Sequence, residues 1–93
     1  MIEAKRSIFN ELSPREAEVF AAIVKEYLRA RMNYDPIASH HEGYGITLEE
    51  MDEVWDEIKK RPEFQDKRKI SDEWVQVSAM AARNIIDLCG QET

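Results

Sequence analysis

The chain has 93 residues, 43% hydrophobic and 34% charged, with a formal net charge of -6. That composition describes a single folded domain, which at this size buries only about 60 to 65% of the surface its unfolded chain exposes. The acid excess argues against binding nucleic acid through its phosphates, which needs a basic surface, and the lone Cys89 excludes an internal disulfide.

Residues 1 to 12 include Ile2, Ile8, Phe9 and Leu12 but show no hydrophobic period. Their run MIEAKRSIFNEL has no long apolar core, and no segment approaches the roughly 20 apolar residues that span a bilayer. The expected location is the cytoplasm, with no membrane partner. Ser13-Pro14-Arg15-Glu16 joins an N-cap serine, a proline at the first helical position and a glutamate at the third. It predicts a helix over about 14 to 33 with Ala17, Phe20, Ile23, Val24, Tyr27 and Leu28 on one face. Arg31 falls inside the apolar arc one turn after Tyr27, where either its stem carries the charge to water or it meets an anion.

Asp35-Pro36 ends that helix, because the residue before proline is biased away from helical geometry. Residues 34 to 46, YDPIASHHEGYGI, then predict the one long irregular connection, holding both histidines and two of the three glycines. His41 and Tyr44 in it are candidates for stacking on a base. Thr47 is the expected cap of a second helix over about 48 to 61, with Glu50 reaching back in a capping box. There Leu48, Met51, Val54, Trp55 and Ile58 form an apolar stripe, and six carboxylates cover the rest of the circumference.

PEFQDKRK reads as a polar connector anchored by Phe64. A third helix is expected over about 72 to 89, stopped by Gly90. Its apolar arc, from Trp74 to Cys89, is too wide for one neighbouring helix and calls for a second subunit, while Glu73, Gln76, Arg83, Asn84 and Asp87 leave a narrow polar stripe around Met80. The expected fold is therefore all-α, with three main helices that assemble as a dimer or higher oligomer.

Glu50 and Glu53 are three apart on one predicted helix, and Glu73 and Gln76 are three apart on the next. Such pairs share a helix face. If the two faces converge, four oxygen-bearing side chains surround a point suited to a hard cation such as Mg²⁺; the alternative is a solvated acidic face.

The order Glu49-Glu50-x-x-Glu53, followed some 20 residues later by Glu73-x-x-Gln76 in an alanine-rich helix, resembles the EExxE plus ExxD signature of the MazG-like all-α nucleotide pyrophosphohydrolases. The likeness covers residues 39 to 89, including SHHEGYGITLEEMDEVWDEI and VQVSAMAARNIIDL. It implies helix pairs that dimerise into four-helix bundles and a Mg²⁺-dependent cleavage of a nucleoside triphosphate into monophosphate and pyrophosphate. Carried over by position, Glu50, Glu53 and Glu73 become metal ligands together with Gln76, and Glu49 and Glu57 stand near the attacking water. Arg83 and Asn84 join His41 and Tyr44 as candidate substrate contacts. Gln76 replaces an aspartate of the family pattern, which keeps open a protein that binds a nucleotide without cleaving it. A plain interaction module with an acidic face is the third reading.

Overall fold

The computed structural model describes residues 8 to 90, which form helices joined by short connections, with no strand among them. Helix α1 is Pro14–Asn33, α2 is His40–Ile58 and α3 is Lys67–Leu88; residues 8 to 10 are also helical, and Pro62–Phe64 is a 3-10 turn. The expected loop and membrane assignments divide here. No helix among the described residues is long and apolar enough to cross a membrane.

The start of α1 follows the sequence closely. Ser13 Oγ accepts from the Glu16 amide at 3.1 Å, and Glu16 returns the bond to the Ser13 amide at 2.7 Å, so two amides that the first turn leaves open are satisfied. At its far end the Arg31 guanidinium stands 5.9 Å from the Tyr27 ring centroid. A cation over an aromatic face explains its place in the apolar arc.

The predicted connection over residues 34 to 46 is wrong from residue 40 onward. Ser39, not Thr47, caps α2 by accepting from the Glu42 amide at 3.1 Å, and Glu42 accepts from the Ala38 amide at 2.7 Å. Gly43, which reads as a loop residue, lies inside the helix because α3 presses against it. A Cβ there would sit 1.8 Å from Asn84 Oδ1. Thr47 is mid-helix and donates to the Gly43 carbonyl at 2.7 Å.

Helix α3 also starts earlier than expected. Asp66 Oδ1 accepts from the Arg68 and Lys69 amides, capping a basic first turn that carries no apolar signal. Gln65 fastens the turn before it, donating to the carbonyls of Ile58 and Lys60. Gly90 adopts φ 79°, the left-handed position that follows a helix and favours glycine. Phe64 and Cys89, both expected to be packed, are exposed.

Both α1 and α2 pack on α3. The core is small: Ala30, Ile37, Val54, Ala79 and Met80 are its buried apolar residues. The narrow polar stripe of α3 turns inward, with Met80 and Arg83 buried, while Ile85 and Ile86 are 63% and 52% exposed. Arg83 makes this possible by donating to the Asp35 carbonyl at 2.8 Å, beside Asp87 at 3.9 Å. Asp87 in turn accepts from the Ile37 amide at 2.9 Å, so the α1–α2 connection is tied to α3 by charged side chains whose polar atoms are partnered.

Candidate metal centre and adjoining cleft

Side-by-side packing of α2 on α3 brings together the carboxylates that the sequence spaces a turn apart. One oxygen each from Glu50, Glu53 and Glu73 lies within 4.8 Å of the other two. Glu50 and Glu73 are half-buried and Glu53 is exposed. Burial, then the charges of Glu53, Glu73, Glu26 and Glu49, raise Glu50 above the ordinary carboxylate range. Burial and the neighbouring Glu53 raise Glu73 likewise, against the opposing charge of Lys69.

Glu73 Oε2 is buried and has no hydrogen-bond partner. An acceptor withdrawn from water without a donor costs roughly 1 to 3 kcal/mol, more when charged. A proton or a cation removes that cost. The donor set is oxygen only, which fits a hard divalent ion such as Mg²⁺ and does not fit the nitrogen and sulfur chemistry of structural zinc.

Helix α1 supplies a carboxylate that the sequence reading missed. Glu26, its side chain 12% exposed, is gripped by Arg29 through bonds of 2.6 to 3.1 Å. That pairing holds Glu26 below its usual range despite partial burial, and the Gln76 side chain, acting as a further hydrogen-bond partner, adds to the effect. Glu26 lies beside Ile23 and Ala30 on the helix wheel, at the edge of the face that meets α3; that position was the available signal.

Beyond the carboxylates opens a cleft of about 430 Å³, lined in part by Arg29, Tyr34, Ile37, Glu50, Gln76 and Arg83. It places a guanidinium, an apolar wall and one of the clustered carboxylates around a single space. Gln76 therefore lies beside Glu26 and on the wall of the cleft that Glu50 also lines.

The remaining candidates stand elsewhere. Glu57 is buried and bridged to Lys60 at 3.0 Å and Lys69 at 3.4 Å; the Lys60 bond, more than the charge of Lys69, keeps its carboxyl below the usual range. Glu49 is exposed, one turn from Glu53. Asn84 is occupied between helices, its amide donating to Thr47 Oγ1 at 2.9 Å and to the Met80 carbonyl at 3.0 Å. His41 and Tyr44 are exposed on α2, on a helix instead of a loop. Comparison with protein-family models, curated proteins and solved structures finds no match for this chain.

Proposed function

We propose that the protein is a Mg²⁺-dependent nucleotide pyrophosphohydrolase of the cytoplasm, converting a nucleoside triphosphate into a monophosphate and pyrophosphate. The observation that carries this reading is the convergence of Glu50, Glu53 and Glu73 within 4.8 Å, with Glu73 Oε2 buried and unpartnered. These three would hold the cation, and the Gln76 amide oxygen adds a neutral ligand at the edge. A bound divalent ion neutralises phosphate charge and lowers the pKa of its water.

The chain's own groups supply the rest. Arg29 and Arg83 line the cleft together with Glu50, Asp35 and Glu42, and both guanidiniums already have carboxylate partners in Glu26 and Asp87, so neutralising phosphate charge there would fall mainly to the cation. Lys60 and Lys69 hold Glu57 in its ionised form and weaken it as a base, which leaves the exposed Glu49, one turn from Glu53, for the attacking water. Assembly of two copies belongs to the same reading.

A second reading, a nucleotide binder without hydrolysis, is favoured by Gln76. It puts an amide next to Glu26 where a fourth metal carboxylate would stand, so the cation is held by less charge. Incubation with each nucleoside triphosphate and Mg²⁺ decides between the two. Pyrophosphate release that Glu73→Gln abolishes supports hydrolysis; nucleotide-dependent thermal stabilisation without release supports the binder.

A further inference from the structure

We propose that the protein binds a single compact oxyanion, of the size and shape of inorganic phosphate, between Arg31 of α1 and Arg83 of α3. The site is separate from the carboxylate centre, and the inference does not rest on the hydrolytic reading.

Two helix faces and the connection between α1 and α2 build it. Tyr27 and Arg31 are one turn apart on α1, and Arg83 and Asp87 are one turn apart on α3. With Tyr34 and Pro36 they line a cavity of about 50 Å³. A single water needs about 10 to 15 Å³ of such space, so this one admits a few waters or one small ion. A nucleoside does not fit, since pockets for larger molecules begin near about 300 Å³. The neighbouring cleft has that room, and Tyr34, Pro36 and Arg83 line both spaces.

The donors decide what the cavity takes. Arg83 is 5% exposed, and its partners leave N–H groups to spare. Of the five that a guanidinium carries, one meets a strong acceptor in the Asp35 carbonyl at 2.8 Å, and another faces only the Met80 sulfur at 3.9 Å. Asp87, at 3.9 Å, lies beyond hydrogen-bond length and gives one oxygen to the Ile37 amide. Arg31 stands over Tyr27, 5.9 Å from the ring centroid. Among the described residues it takes part in no ion pair, in a chain with 19 acidic residues. Two guanidiniums against the one carboxylate of Asp87 leave the cavity with an excess of one positive charge. That excludes a metal cation and suits an oxyanion, whose oxygens match the planar fork of arginine.

Occupancy has a structural consequence. The connection between α1 and α2 already hangs from α3 at the Asp35 carbonyl and the Ile37 amide. An oxyanion shared by Arg31 and Arg83 adds a third tie across the same connection and stiffens one wall of the cleft.

Melting in sodium phosphate and in sodium chloride of equal ionic strength, both without divalent cations, tests the site. Phosphate should stabilise the parent beyond chloride. Arg31→Gln, at an exposed position, should melt close to the parent in chloride and bind phosphate about tenfold or more weakly. Backbone amide shifts on adding phosphate should gather in residues 27 to 37 and 83 to 87 and leave the surroundings of Glu50 and Glu73 unmoved. No phosphate response in the parent, an equal response in Arg31→Gln, or shifts centred elsewhere would overturn the inference and leave a gap that holds water only. A nucleoside monophosphate should give no response that depends on Arg31. A response equal to that of phosphate would make the cavity an extension of the cleft and overturn the free ion as its ligand. Pyrophosphate release is read with Mg²⁺ and a nucleoside triphosphate, so either idea can fail without the other.

Discussion

The Asn84 amide donates to the Thr47 hydroxyl at 2.9 Å, and that hydroxyl donates onward to the Gly43 carbonyl at 2.7 Å. A side chain of α3 is thus threaded into α2 at Gly43, where no Cβ blocks it. The paired glycines of α2 should therefore respond in opposite directions to alanine. Gly43→Ala drives a methyl into Asn84, and overpacking of this kind costs about 1 to 3 kcal/mol, partly offset by better helix propensity. Gly45→Ala meets nothing within 4 Å and should gain about 0.5 to 1 kcal/mol. Urea midpoints that move the same way for both would refute the close approach.

Arg83 is 5% exposed and holds both the Asp35 carbonyl and the neighbourhood of Asp87. Arg83→Met removes the positive charge and leaves Asp87 in a site only 16% exposed. Removing one member of a buried pair costs about 3 to 5 kcal/mol, so the variant should melt far below the parent. A loss under about 1 kcal/mol would mean that the connection is held by Ile37 alone.

The carboxylate centre predicts an unusual pH profile. Glu50 and Glu73 are raised above the ordinary glutamate value of 4.5, so above 4.5 the folded state binds more protons than the unfolded chain and stability falls as pH rises through their folded values. Glu26 and Glu57 are lowered, so their contribution is complete above 4.5 and is lost as pH falls through their folded values. Without divalent cations, stability should therefore rise from neutral pH to mild acid and then decline. Millimolar Mg²⁺ competes with those protons and should move the maximum toward neutrality. Superimposable melting curves with and without Mg²⁺ across the pH series would remove the metal from the reading.

Gln76→Asp places a new carboxylate beside Glu26 and Glu50 and removes the amide that supports Glu26. Without Mg²⁺ the variant should be less stable than the parent, and with Mg²⁺ it should bind the ion more tightly and recover. A glutamine outside the metal shell would change stability by no more than about 0.5 kcal/mol in either condition. Melting of both proteins with and without millimolar Mg²⁺ separates the cases. Pyrophosphate release that appears only in the variant would favour the binder as the description of the parent.

The sequence made α1 legible to the residue, because proline, serine and glutamate act locally and the capping box needs no tertiary partner. The start of α2 was illegible for the opposite reason. Gly43 reads as a loop signal until Asn84, 41 residues away, is known to need its space. The same limit explains the inward polar stripe of α3, since Arg83 can be buried only when the Asp35 carbonyl and Asp87 are in place. At the centre, the i, i+3 spacings located Glu50, Glu53 and Glu73, whose convergence depends on α2 and α3 lying in register. Glu26 escaped because it belongs to another helix, with no partner motif in its own stretch.

Helix α3 is where both other helices find their packing, and it is the last of the three along the chain. A ribosome that has made everything through Gln65 has therefore produced two amphipathic segments with little surface to share. Most helical stability in a protein comes from tertiary packing of the amphipathic face, so neither is held until α3 emerges. Synthesis and folding are thereby separated in time, and the apolar stripes of α1 and α2 are open to chaperones throughout that interval. A stalled chain ending near Gln65 should be degraded as unfolded protein, whereas one extended through Leu88 should resist proteolysis.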